Sequence, residues 1–144
     1  SAMSGDVVRI AKSWIGTPYR HQASLKGVGA DCLGLILGIW REIGGMSLPD
    51  IPPYSPSWHV VDRNEELWAA MEAVLQPADR VLAPGDIALL RMRDGASARH
   101  AGIISGTWRE PRLIHAYSGR GVVESFLGKP FKRRIVARLR FPKE

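Results

Sequence analysis

Cys32 is the single cysteine of the chain, and His21, His59, His100 and His115 are its four histidines. A lone cysteine makes no internal disulfide and no thiolate-rich zinc site. It is either a small buried hydrophobe or a nucleophile. In Asp31-Cys32-Leu33-Gly34-Leu35, Asp31 is a natural N-cap, which puts Cys32 at the first helical position. A thiol there meets the positive end of the helix dipole and unpaired backbone N–H groups. That setting lowers a thiol pKa from its free value of about 8.5 and raises the thiolate fraction. The same N–H groups can hold a developing oxyanion. Nucleophile activation and oxyanion binding thus share one piece of backbone.

The histidines divide by context. His21 and His59 fall in polar loops and are expected at the surface. His100 opens the run His100-Ala101-Gly102-Ile103-Ile104, and His115 lies inside Leu113-Ile114-His115-Ala116-Tyr117. Residues 106–111 read as a hairpin loop between two strands. If His100 pairs opposite position 115 or 117, both imidazoles project from one face of the sheet; a one-residue slip separates them. One histidine on that face can take a thiol proton, and the other can hold the first in the required tautomer. Two other readings stand beside this one: packing without catalytic duty, and metal ligation. The second lacks an obvious third ligand and a His-Glu-x-x-His pair.

The elements that must position these residues are legible in outline. Residues 4–14 read as an amphipathic helix, with Val7, Val8, Ile10, Ala11 and Trp14 on the apolar side. Gly16-Thr17-Pro18 ends it, and residues 20–30 read as a polar loop. A strong helix is expected from Cys32 to Ile43, closed by Gly44-Gly45. On its wheel Ile36, Ile39 and Ile43 lie within about 40° of Cys32. That face should pack on a sheet. Gly34 and Gly38 lie opposite and would admit another element, the first helix above all. Residues 46–58 are proline-rich and extended, and Asp62-Arg63-Asn64-Glu65 opens a third helix through about Leu75. After Pro84-Gly85-Asp86 come short apolar runs at 87–92, 100–105, 112–117, 121–127 and 134–141. Helices lead and strands follow, so the class is α+β, with helices on an antiparallel sheet of five or six strands.

Composition closes off other classes. The 144 residues suit a single domain, 1–144, in which Ser1-Ala2-Met3 resembles a cloning remnant. The longest uncharged apolar stretch is far too short to span a bilayer, so no membrane insertion is expected. No basic region precedes an apolar run, so synthesis in the cytoplasm without a signal peptide is expected. The net charge of +6 is local: residues 129–144 hold seven Lys/Arg and one acid, while residues 1–128 are balanced. In residues 134–141, Ile135, Ala137, Leu139 and Phe141 alternate with Arg134, Arg138 and Arg140. This predicts a last strand with a basic outer face. No nucleic-acid motif or interleaved aromatics accompany that charge, so no nucleic-acid partner is expected.

The ordered set of motifs resembles the NlpC/P60 cell-wall peptidases, whose fold is a reduced papain-like one. The matching residues are Gly16-Thr17-Pro18-Tyr19, Asp31-Cys32-Leu33-Gly34-Leu35, Pro84-Gly85-Asp86, His100-Ala101-Gly102-Ile103-Ile104, Ile114-His115-Ala116 and Gly121-Val122. They cover roughly residues 7–127. Leu33 stands where the family usually has Ser, and Arg20-His21-Gln22 where it has a Gly-Gly pair. The long 16–34 segment, the proline-rich loop with Trp58 and the closing 134–142 segment are most similar to the phage-tail and gene-transfer-agent branch. The resemblance implies Cys32 as nucleophile, His100 as general base and His115 as the third polar residue. It places Tyr19 and Asp31 at the oxyanion and substrate side. It implies no metal and no organic cofactor. The implied substrate is the peptidoglycan stem peptide, cut between D-γ-glutamate and diaminopimelate. The implied setting is a phage-like particle with tail-protein partners, acting on the wall in the periplasm. A tail assembly protein that keeps the fold without the chemistry is the alternative.

Overall fold

A computed structural model describes residues 2–44, 65–78, 83–92, 94–95, 97–107 and 109–142. The proline-rich 46–58 segment with Trp58, His59, Gly45 and the capping residues Asp62, Arg63 and Asn64 lie outside the described residues. The elements run α1 (Ala2–Ser13), β1 (Ser24–Leu25), β2 (Gly29–Ala30), α2 (Cys32–Glu42), α3 (Glu66–Val74), β3 (Gln76–Pro77), β4 (Ile87–Leu90), β5 (His100–Gly106), β6 (Pro111–Tyr117), β7 (Gly121–Phe126), α4 (Lys129–Lys132) and β8 (Ile135–Arg140). The expected α+β class holds. The main sheet is antiparallel, with strand order β3-β8-β4-β5-β6-β7.

α2 is the hub. The wheel predicted one apolar face, but Cys32, Leu33, Gly34, Leu35, Ile36, Gly38, Ile39 and Trp40 are all buried. A helix covered on nearly every side has the sheet below it and other segments above. Leu35, Ile36 and Ile39 are 0% exposed, and each such side chain stabilises by about 1.5–3 kcal/mol. Trp40 stacks on Phe141 just beyond β8, with ring centroids 5.6 Å apart. The two glycines admit two different segments. Gly38 faces the Trp14 ring at the end of α1, as expected. Gly34 faces the Ala23 carbonyl of the 17–30 segment instead.

That segment is more ordered than a polar loop. β1 and β2 form a small antiparallel hairpin. Gly16 and Val122 tie its beginning to β7, by Gly16 N to Val122 O at 2.9 Å and Val122 N to Thr17 O at 2.8 Å. A Cβ at Gly121 would run into the Thr17 carbonyl, so the close approach requires glycine there. α1 also begins earlier than expected and includes Ala2 and Met3.

The last strand departs from simple alternation. A register shift between Leu89 and Leu90 moves the β4–β8 pairing from Leu89↔Ala137 to Leu90↔Ile135. An extra residue in one strand reverses which side chains face which side. Ala137, Leu139 and Phe141 join the large cluster under α2, whereas Ile135 joins a second cluster with Ala88, Leu90, Ile104, Leu113 and Leu127. The expected continuous basic face is therefore broken. Arg134 pairs with Asp94 at 3.4 Å, Arg138 is exposed, and Arg140 is half-buried near Asp86. Two short elements had no expectation: the edge strand β3, where Pro77 needs no ladder N–H, and α4, which starts with a proline in its first turn.

Candidate active site

Strand register decides where the histidines point. The β5–β6 pairs run from Ile103↔Ile114 to Gly106↔Pro111. Continued backwards, this register sets position 100 against 117 and position 102 against 115. His100 and His115 thus project from one face, as one of the two expected registers requires. Leu90↔His100 places that face on the side of the second cluster. The side chains meet: His100 Nε2 lies 2.6 Å from His115 Nδ1. His115 Nε2 lies 2.8 Å from Ser125 Oγ on β7. Tyr117 sets its ring edge-to-face on both imidazoles, at 5.6 Å from His100 and 5.5 Å from His115. Phe131 of α4 lies 6.1 Å from the His115 ring.

Cys32 approaches the same strand from the helix side. Its Sγ lies 3.9 Å from the Arg99 carbonyl oxygen, and the Ala101 backbone N–H also acts on the sulfur. The thiol therefore sits against the backbone on both sides of His100. Glu65 steadies the approach to this strand, accepting from Ala98 N with both carboxylate oxygens at 3.1 Å. It also pairs with Arg91 at 3.3 Å.

Asp31 caps α2 as expected, accepting from Gly34 N at 2.7 Å. Its other oxygen accepts from Gln22 N at 2.6 Å. Gln22 holds a φ of 58°, a conformation uncommon outside glycine, which turns its N–H onto this carboxylate. Asp31 is 1% exposed, so its charge is spent on fixing the start of α2. His21, expected at the surface, is half-buried, with Nδ1 3.6 Å from Asp31 Oδ2. Tyr19 bridges to Ala30, two residues before Cys32. Its phenol is pushed up to about 12, by burial first and then by the charges of Cys32 and Asp31. It stays a proton donor through neutral pH. Leu33, at the position where a serine is usual, is buried in the core.

The electrostatics reverse one expectation. The thiol of Cys32 is not lowered: burial pushes it up to about 12, and the Asp31 carboxylate adds to the rise. N–H groups of Ala101, Leu33 and Cys32 pull the other way without winning. Removing a thiolate from water costs more here than the helix end returns. Burial likewise lowers His100 to about 3, helped by its neighbour His115, and His115 to about 4. At rest the group is a neutral thiol and two neutral imidazoles. Among the described residues, no cluster of three or more His, Cys, Asp or Glu is arranged to hold a metal.

Sequence reasoning missed Ser125 and Tyr117. Tyr117 was within reach, two residues from His115 and hence on its face. Ser125 carries no motif; only the β6–β7 register, Leu113↔Ser125, brings it beside His115.

A cysteine-headed helix whose thiol sits at the start of an antiparallel strand, with a pair of hydrogen-bonded histidines on that strand and its neighbour, is the arrangement of a papain-like fold. Solved structures agree. An NlpC/P60 family protein of Bacillus cereus ATCC 10987 superposes with a TM-score of 0.65 at 22% identity, covering 96% of this chain and 40% of that one. The NlpC/P60 domain of the peptidoglycan hydrolase SagA gives 0.56 at 20% identity, covering 86% of this chain and 89% of that one. The fold is that of the NlpC/P60 domains. Among curated relatives, a gamma-DL-glutamyl hydrolase of Bacillus subtilis is 29% identical over 87% of this chain and 26% of its own length. A murein DD-endopeptidase/murein LD-carboxypeptidase of Escherichia coli K12, MepS, is 27% identical over 84% of this chain and 53% of its own. The chain thus spans a quarter to a half of these two relatives. No family profile matches the sequence.

Proposed function

We propose that this chain is a single papain-like cysteine peptidase domain that cleaves peptidoglycan stem peptides. The observation that carries the reading is the 2.6 Å contact between His100 Nε2 and His115 Nδ1, at the strand start where Cys32 is seated. With Nε2 engaged, His100 exchanges protons through Nδ1. It takes the Cys32 proton as the sulfur attacks the peptide carbonyl. The Cys32 backbone N–H and the Tyr19 hydroxyl stabilise the tetrahedral oxyanion. Asp31 acts as a positioning residue, holding Cys32 at the head of α2. His100 then protonates the leaving amine, and water hydrolyses the thioester. No cofactor enters these steps.

Two relatives support the substrate class: one is named for γ-glutamyl hydrolysis and the other for murein peptide cleavage. The bond proposed is D-γ-glutamyl-diaminopimelate. The setting proposed is a phage-like particle that brings the domain to the periplasmic wall through tail-protein partners; it rests on the sequence resemblance. A second reading, an assembly protein with the fold but no chemistry, draws support from the buried, protonated thiol.

The test is mass spectrometry of diaminopimelate-type muropeptides incubated with this protein and with Cys32→Ala. Fragments ending in γ-glutamate, made only by the intact protein, are expected. A different fragment, still lost in the variant, keeps the chemistry and moves the bond. No cleavage by folded protein across varied stem peptides overturns the reading in favour of the assembly role.

A further inference from the structure

The contact at the far end of the histidine line constrains how protons are arranged along it. The 2.6 Å gap between His100 Nε2 and His115 Nδ1 has room for one hydrogen. When His100 accepts the thiol proton on Nδ1, it becomes an imidazolium that carries a hydrogen on Nε2 as well. A second hydrogen on His115 Nδ1 would then meet it head-on. Proton transfer therefore requires His115 Nδ1 to be bare, which puts the proton of that neutral ring on Nε2. Ser125 Oγ lies 2.8 Å from that nitrogen. His115 is 1% exposed, so an Nε2–H without an acceptor would be costly. Ser125 is half-buried and can turn its own O–H elsewhere while its lone pair faces the ring.

We propose that Ser125 is a positioning residue: its Oγ accepts from His115 Nε2–H and so holds His115 and His100 in the tautomers that leave His100 Nδ1 able to take the Cys32 proton. The inference rests on the reading of Cys32 and His100 as nucleophile and base. The opposite direction fails stepwise. If Ser125 donated to His115 Nε2, His115 would carry Nδ1–H and donate to His100 Nε2. His100 would then hold its own proton on Nδ1 and have no ring nitrogen left to accept a proton from the thiol.

The test joins nitrogen-15 NMR of the imidazoles with kinetics on muropeptides. The variants are Ser125→Ala, Ser125→Thr and Ser125→Val. Both rings should be Nε2–H tautomers in the unaltered protein and in Ser125→Thr. In Ser125→Ala and Ser125→Val, which lack the acceptor, His115 should shift towards Nδ1–H. A misdirected tautomer costs about 10⁴ in a serine peptidase whose orienting group is a buried carboxylate, so with a neutral hydroxyl kcat should fall roughly tenfold while KM holds. Threonine should restore kcat. Valine matches threonine in shape, so that pair decides the matter even if the alanine variant unfolds. An Nδ1–H tautomer of His115 in the unaltered protein, or tautomers unchanged in the alanine and valine variants, overturns the proposal. If no muropeptide is cleaved at all, the peptidase reading fails, and the NMR still decides what Ser125 does.

Discussion

At the residue scale, a buried neutral thiol at the start of the strand that carries a neutral His100 bears on how the proposed nucleophile is activated. The helix end does not supply a standing thiolate, because burial outweighs it. In the proposed mechanism, attack therefore couples to proton transfer once substrate is seated, when contacts that are long in the free protein tighten. Iodoacetamide should therefore alkylate Cys32 slowly at neutral pH, with the rate climbing only in strongly alkaline solution towards the thiol value of about 12. Rapid alkylation at pH 7, measured by intact mass, would contradict the neutral ground state. His100→Ala should lower muropeptide cleavage by about 10²–10⁴ while leaving binding in place, the usual cost of removing a general base. Equal cleavage by that variant would remove His100 from the mechanism.

At the scale of elements, the site is held by what packs on α2. Gly34 lets the Ala23 carbonyl lie against the helix start, and Gly38 does the same for the Trp14 ring. Ser24 Oγ donates to the Gly34 carbonyl at 2.6 Å, and Arg41 reaches back to Ser24 O at 2.7 Å. The 17–30 segment is thereby fastened along the helix that presents Cys32. A methyl at either glycine forces backbone or an indole to move. Gly34→Ala and Gly38→Ala should each destabilise by about 1–3 kcal/mol in thermal unfolding. Gly5→Ala should do the reverse, stabilising by about 0.5–1 kcal/mol, because nothing lies near its Cβ and α1 gains a better helix former. Equal effects at all three positions would show that close packing does not govern α2.

At the scale of the whole molecule, burying three titratable groups as neutral species sets a pH window for stability. His100 and His115 fall from 6.5 to about 3 and about 4 on folding. Below 6.5 the unfolded chain binds the more protons, so stability is lost as pH falls through that range. Cys32 rises from 9.0 to about 12. Above 9 the unfolded chain releases a proton that the folded one keeps, so stability is lost as pH rises towards 12. The melting temperature should form a plateau between pH 6.5 and 9 and decline on both sides. His115→Gln should flatten the acid decline, and Cys32→Ala the alkaline one, as read by thermal melts across pH. Unchanged slopes in both variants would assign the window to other groups.

The sequence by itself determined the classes of element and the chemistry-bearing residues. Helical periodicity with Asp31 as cap located the start of α2, and period-two runs located β4 to β8 within a few residues, because local burial patterns follow backbone geometry. It also placed His100 and His115 on strands joined by a hairpin, leaving register as the open question. Only tertiary structure decided that register, the meeting of Cys32 with the start of β5, and the presence of Ser125 beside His115. It also decided the shift at Leu89 and Leu90 that broke the basic face, and the burial that turned an activated thiolate into a protonated thiol. The physical reason is common to all of these. Periodicity encodes which side of an element is apolar, whereas pairing offsets, contacts between distant segments and the loss of water around a charge depend on what the rest of the chain brings up against it.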